Sequence, residues 1–372
     1  MLEAGRNRLF LEIMRQERHA TLLDVARYAG VGTTTVSRVI NGSVGVSPKT
    51  LAAVRQAIKD LGFAPNPVAR MLKGEQTKTI GLIIPNLADS YFSSIAEEIQ
   101  KVACSFGSMV IVTVTHNEVE REWVSVNELA RRTDGLLLAP ASSMNPKLVE
   151  RLSWAPIPVV CFDRPLFHSN TSRVLTANYQ DAKAATKHLL SHGRERILCL
   201  GGEASFHTVH ERLRGYLAAM EQAGRGPLVD VSEHKRGAGE AAKVLKKHFR
   251  GKEPPDAIFC LKNSVTIDCY DFLQRFGIAV PMEVALVGFD DFRLAAMLRP
   301  SVTVVRQPVE EIGRTAAEML FKRLGEINDA VRAGERAAPR AGELVRLKNE
   351  LIVRASCGCE EVPVQRLGSL RR

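Results

Sequence analysis

With 372 residues, 45% of them hydrophobic and 25% charged, the chain is long enough for two or three domains with cores of their own and has the makeup of a soluble globular protein. No run approaches membrane-spanning length, and the first apolar cluster, Leu9-Phe10-Leu11, is too short and too interrupted by charge for a signal peptide, so the expected setting is cytoplasmic. A formal charge of +10 points to a polyanionic partner, and seven scattered cysteines, an odd number, argue against a disulfide framework.

Residues 1–18 read as a mixed-charge extension in which Leu9, Phe10, Ile13 and Met14 make at most one amphipathic turn. Thr21 to Gly42, TLLDVARYAGVGTTTVSRVING, follows as two short helices joined by a tight turn. Leu22, Val25, Ala26 and Ala29 recur at helical spacing on one stripe; Gly30 supplies the left-handed residue that ends the helix, and Val31 plugs the turn. The second helix, Thr33 to Ile40, is expected to bury Val36, Val39 and Ile40 and to leave Thr33, Thr34, Ser37 and Arg38 outward. Small hydroxyls and an arginine on a helix of that size suit a DNA major groove, so the pair reads as a helix-turn-helix. A third helix opens with Ser47 as N-cap and Pro48 in first position, turns Leu51, Val54, Ile58 and Leu61 to the same small core, and closes at Gly62. FAPNPVARMLKG then reads as a single-turn helix capped by Asn66, started by Pro67 and stopped by Gly74. From His19 to Gly74 seven lysines and arginines face only Asp24 and Asp60, a balance of +5 that suits a polyanion.

The stretch LLDVARYAGVGTTTVSRVINGSVGVSPKTLAAVRQAIKDLGFAPNPVARMLKG resembles the DNA-binding headpiece and hinge of the LacI/GalR (lac-repressor) family, without a gap, and the resemblance continues to about Cys357. It implies a sequence-specific transcriptional regulator, most often a repressor, that binds a near-palindromic operator as a homodimer. Thr33, Thr34, Ser37 and Arg38 would then face bases or phosphates, with Leu23 and Asn41 at further contact positions. Gly32 stands where the family usually has a serine or threonine cap. Asn66, Ala69, Leu72 and Lys73 match the hinge contacts, Leu72 as the wedge that enters the minor groove. Nine residues are too few for a stable free helix, so the hinge is expected to fold only on DNA.

Beyond Gly74, short apolar runs (Thr79-Pro85, Val110-Thr115, Gly135-Ala139, Val159-Asp163, Ile197-Leu200, Ala257-Leu261, Val284-Phe289, Val302-Arg306) alternate with helical patterns, the grammar of doubly wound α/β. The resemblance implies a bilobed, periplasmic-binding-protein-like core. The expected domains are the extension (1–18), the headpiece (19–65), the hinge helix and linker (66–77), the effector-binding and dimerisation core (78–358) and a C-terminal tail (359–372). Within the core, the N-lobe would take about 78–178 and 307–336 and the C-lobe about 179–306 and 337–358. Gly325 to Leu344 reads as a poorly patterned connector.

Strand ends in such a core present side chains to the cleft. The resemblance places Tyr91, Phe92, Arg164, Arg212, Asn263 and Asp290 at the effector, a small molecule of sugar-like kind. Two departures, Asn263-Ser264 for the family's Asn-Asp and Ala177-Asn178 for its Asp-Asn, remove acidic positions at or near that cleft. Asp290-Asp291 is also compatible with Mg²⁺, although no phosphate-cradling glycine loop accompanies it. His188 and His192 have metal-chelating spacing but no third ligand near them in sequence, and Cys357-Gly358-Cys359 has no second pair, so no metal site is expected. The chain has no GxGxxG, P-loop, GxSxG or HExxH motif; neither a cofactor nor an enzymatic activity is expected.

Overall fold

The computed structural model describes residues 20–40, 45–63, 76–155, 157–203, 205–231, 240–335 and 341–359. The chain forms two compact units that part between Thr77 and Lys78. In the first, α1 (Leu22–Ala29) is started by a capping box: Thr21 accepts from the Asp24 N–H, and Asp24 accepts from the Thr21 N–H. Gly30, at φ 64°, stops it, and the Val31 N–H returns to the Ala26 carbonyl. α2 (Thr33–Ile40) opens without a side-chain hydroxyl at Gly32, whose carbonyl receives the Val36 N–H. α3 (Pro48–Asp60) is capped by Ser47. Val25, Ala26, Val36, Val54, Ala57 and Phe63 form the buried core of the three helices, while Val39 and Ile40 are only partly buried against it.

The second unit holds two six-stranded sheets. The first contains β1 (Thr79–Ile84), β2 (Met109–Val114), β3 (Gly135–Leu138), β4 (Val159–Phe162), β5 (Ser172–Thr176) and β11 (Leu344–Leu347), in the order β2-β1-β3-β4-β5-β11. The second contains β6 (Ile197–Gly201), β7 (Leu228–Val231), β8 (Ala257–Cys260), β9 (Ala285–Phe289), β10 (Thr303–Arg306) and β12 (Glu350–Ile352), in the order β7-β6-β8-β9-β10-β12. The two orders correspond strand for strand. All pairings are parallel except β10 with β12.

Helices cover the sheets: α4 (Ser90–Ser105), α5 (Val119–Leu129), α6 (Pro146–Ser153) and α11 (Val309–Arg332) with the first; α7 (Asn178–Ser191), α8 (His207–Gln222), α9 (Glu240–Phe249) and α10 (Asn263–Arg275) with the second. Parallel strands covered on both faces bury almost every side chain, which is why β1, β3, β6, β8 and β9 read as unbroken apolar runs. Each fully buried leucine, isoleucine or phenylalanine among them is worth about 1.5–3 kcal/mol relative to exposure.

The chain passes between lobes after β5, after β10, and between β11 and β12. The last passage corrects the expected boundary at residue 337: Leu344–Leu347 pairs in parallel with β5 of the first lobe, so the chain crosses at Lys348 and Asn349. Gly325 to Leu344 is likewise not all connector. α11 runs on to Arg332, helped by the Arg323–Glu326 and Arg332–Asp329 pairs one turn apart.

Candidate functional site

A cleft of about 300 Å³ opens between the lobes, walled by the carboxyl ends of their strands. From the first lobe come Asp89 after β1, Asn117 after β2, and Asp163 and Arg164 after β4. From the second come Gly202 and Glu203 after β6, Lys262 after β8 and Asp290 after β9; Arg212 reaches in from α8. Asp163 and Asp290 stand after corresponding strands of the two sheets, and both have left-handed backbones, with φ 64° and 70°. A non-glycine residue held there is strained, and such strain persists only where the surroundings over-determine it.

The surroundings do. Asp163 accepts from the Tyr91 hydroxyl at 3.0 Å and from Arg164 Nε at 3.0 Å. Arg164 also donates to Asn117 Oδ1 (2.8 Å) and the Pro140 carbonyl (3.1 Å), and its guanidinium lies 4.6 Å from the centre of the Phe206 ring. Across the cleft, Arg212 donates through Nε to Asn178 Oδ1 (2.7 Å) and through Nη1 to the Leu261 carbonyl (2.8 Å), with Asp290 Oδ2 at 3.4 Å. The Phe289 ring lies 3.7 Å beneath its guanidinium. Gln307 donates to Asp290 Oδ1 (2.6 Å) and accepts from the Thr176 hydroxyl (2.7 Å). Burial raises the Asp290 carboxyl, with Arg212 and Gln307 opposing; burial also pushes the Tyr91 hydroxyl well up, helped by Asp163 and Asp290, and keeps it a neutral donor.

Arg212 owes its position to a glycine. A Cβ on Gly215 would lie 2.3 Å from the Tyr179 carbonyl oxygen, so only glycine lets α8 pack this closely on α7. One residue on, the buried Tyr216 anchors α8 to the sheet by donating to the Ile197 carbonyl.

Tyr91, Phe92, Arg164, Arg212 and Asp290 all line the cleft. Asn263 does not. Its amide donates to Asp89 Oδ1 at 2.9 Å and accepts from the Ser264 N–H, which makes it, with Lys262 (3.3 Å from Asp89 Oδ2), a clasp between lobes. The Asp290-Asp291 alternative is also corrected: Asp291 turns away to a two-pronged pair with Arg354 while Asp290 faces Arg212, so the two carboxylates share no cation position. Sequence reading missed Asn117, Glu203, Phe206 and Gln307 and gave no role to Asp89 or Asp163, each just beyond a strand; position after a strand was the available signal for all of them. With Asp89, Asp163, Glu203 and Asp290 present, the cleft does not lack carboxylates despite the two departures at residues 177 and 264. The expectation that His188 and His192 lack further ligands fails as well, since folding brings Cys357 and Cys359 to them.

In the first unit, Thr33, Thr34 and Arg38 of α2 are exposed and Ser37 is partly so; Leu23 on α1 is 49% exposed. Arg27, Arg38, Lys49, Arg55 and Lys59 are all exposed. Asn41, Asn66, Ala69, Leu72 and Lys73 lie outside the described residues, as do the extension at 1–18 and the tail from 360.

An exposed helix with hydroxyls and an arginine, in one chain with a cleft walled by polar strand ends, defines a ligand-responsive DNA-binding regulator. Residues 21–66 match the bacterial regulatory proteins, lacI family, and residues 186–357 a periplasmic binding protein-like domain. The chain is 32% identical over 322 residues to the HTH-type transcriptional repressor PurR of Photobacterium profundum, covering 85% of this chain and 95% of that protein. It is 31% identical over 310 residues to the ribose operon repressor of Escherichia coli (strain K12), covering 82% and 93%. Among solved structures, the transcriptional regulator CelR–cellobiose complex aligns with TM-score 0.65 at 29% identity over 91% of this chain and all (100%) of that one. The lac repressor dimer bound to operator and the anti-inducer ONPF shares the fold at TM-score 0.76 and 23% identity, over 91% and 99%. The chain belongs to the lacI family of bacterial regulatory proteins: it is a DNA-binding transcriptional repressor with an effector-binding core, and not an enzyme.

Proposed function

We propose that the protein works in the cytoplasm as a homodimer on a near-palindromic operator, each α2 in a major groove, and is switched by a sugar or related polyhydroxyl metabolite in the cleft. In this reading Thr33, Thr34, Ser37 and Arg38 read bases or phosphates, an arginine on guanine supplying about 1–3 kcal/mol of discrimination. Leu23 and Asn41 add contacts, and Asn66, Ala69, Leu72 and Lys73 of the hinge act at the central step.

The observation that carries the effector class is the pairing of a carboxylate with an arginine on each side of one cleft, Asp163 with Arg164 and Asp290 with Arg212. Such pairs offer donors and acceptors together while each nearly cancels its own charge, which suits neutral hydroxyls better than an ionic ligand. Tyr91, Phe92 and Phe206 add apolar faces, and the volume is at the small end of the roughly 300–1,000 Å³ of ligand clefts. A ribose operon repressor and a regulator solved with cellobiose among the similar proteins agree with this class. The cleft is also wired to the lobe crossings. Asn178 and Thr176 stand at the first, Gln307 at the second, and both are hydrogen-bonded into the Arg212–Asp290 group. A ligand that displaces these bonds biases the angle between lobes and thereby operator affinity.

Selection of bound sequences from a random DNA pool, at two salt concentrations, tests the first half. The expected result is a palindrome with a central pyrimidine–purine step; binding with no sequence enrichment that vanishes as salt rises would contradict it. A panel of monosaccharides and disaccharides, scored for release or retention of that operator, tests the second.

A further inference from the structure

We propose that His188, His192, Cys357 and Cys359 form a tetrahedral zinc site that staples the end of the second lobe to α7. One ligand atom from each residue lies within 4.8 Å of all the others, although the two pairs are more than a hundred and sixty positions apart in the chain. His192 Nε2 is 3.2 Å and His188 Nε2 is 3.8 Å from Cys359 Sγ, and the two imidazoles meet edge to face at 4.8 Å. A tetrahedral zinc, with Zn–S of about 2.3 Å and Zn–N of about 2.0–2.1 Å, holds its ligand atoms about 3.3–3.8 Å apart. The four atoms need only small side-chain rotations to reach that spacing.

Local structure assembles each half. His188 sits in the last turn of α7 and His192 is its C-cap residue, one helical turn further on. The two cysteines flank Gly358, which ends the 3-10 turn Ala355–Cys357 at φ 107°, a backbone that favours glycine. Cys357 is wholly buried, with the Thr303 hydroxyl 3.1 Å from its sulfur, an outer partner of the kind that steadies a ligating thiolate. Cys359 is half-buried and His192 exposed, which leaves a path for the ion. All four side chains are free of other covalent bonds, and no carboxylate belongs to the group. Two thiolates with two imidazoles select zinc over the hard cations Mg²⁺ and Ca²⁺, and four protein ligands close the coordination shell, as in a structural site. On binding, each thiol releases its proton to solvent as its Zn–S bond forms, while each imidazole binds through its neutral nitrogen.

The test uses the full chain, purified under reducing conditions, equilibrated with zinc and desalted. The expected content is about one zinc per chain, with cobalt giving the intense spectrum of a tetrahedral thiolate site. Cys359→Ser and His192→Ala, chosen because neither side chain is fully buried, are each expected to weaken zinc by more than about 100-fold against a chromophoric chelator, beyond the 10–100-fold typical of losing an outer partner. Circular dichroism of both variants checks that they are folded. Chelation is expected to lower the melting temperature of wild type and not of the variants. Less than about a tenth of an equivalent of zinc in folded wild type, unchanged affinity in both variants, or a cobalt spectrum without thiolate charge transfer would each overturn the site.

Discussion

Arg212 shows how much a single side chain carries here. It is 4% exposed, meets Asn178 at a lobe crossing, Leu261 at a strand end and Asp290 in the cleft, and lies over Phe289. Arg212→Ala is expected to weaken the effector by about 10- to 100-fold, the worth of a charge-assisted hydrogen bond of roughly 1.5–3 kcal/mol, and to abolish the effector response while the protein still binds operator. Isothermal titration and an operator gel shift on the same preparation check both parts; an unaltered response would remove Arg212 from the site. Across the cleft, Asp163 was legible in the sequence only as the residue that ends a strand before Arg164, with no role of its own. Only the left-handed backbone and the bonds from Tyr91 and Arg164 single it out.

At the scale of elements, α5 holds the first lobe's cleft loop through one carboxyl. Glu122 is wholly buried and accepts from the Ala141 N–H and from Asn145, next to the Pro140 carbonyl that receives Arg164. Burial pushes its carboxyl up from 4.5 to about 7, against the lowering by Ala141, Asn145 and Arg164. The folded chain therefore holds a proton that the unfolded chain has lost between those two values. Its contribution to stability is complete below the unfolded value and is lost as pH rises through about 7. Glu122→Gln removes that dependence, so the variant is expected to gain on wild type by on the order of 2–3 kcal/mol between about pH 5 and pH 8. Denaturant melts at the two pH values check it; parallel wild-type and variant curves would refute it.

The same scale explains which elements were legible. Buried central strands such as TIGLII and ALVGF announce themselves, and the capped helices of the headpiece do too. β5, β7, β11 and β12 did not: β5 is interior but short and opens with Ser-Arg, and the other three are edge strands with side chains in solvent, LVDV, LVRL and ELI, so no apolar run results. The expected crossing at residue 337 went wrong for that reason. The four proposed zinc ligands were visible as two weak pairs, but nothing local in either pair points to the other; only the packing of the terminal turn beside α7 joins them.

For the whole molecule, the function depends on linking the cleft to DNA. Leu72, outside the described residues, is the position that the family resemblance makes the minor-groove wedge. Leu72→Ala is expected to weaken operator binding severalfold or more, since unstacking a base step is repaid through contacts that an alanine cannot make, while melting and effector titration of the core stay as in wild type. Equal operator affinity in the two proteins would sink the wedge role. A loss of effector binding as well would mean that the substitution acts on the core and not on the hinge.

Asp89 touches Lys262 and Asn263 across the mouth of the cleft. A molecule that pairs with Asp89 must displace one of these two partners. Lys262 is 43% exposed, so water competes for its ammonium group and its half of the bridge is weak. Rotamer changes of an exposed side chain such as Lys262 recur on picosecond to nanosecond scales. The ammonium half of the bridge is thus the readily exchanged one, whereas Asn263, 6% exposed, holds Asp89 from a buried amide and yields only when the strand ends it joins move apart.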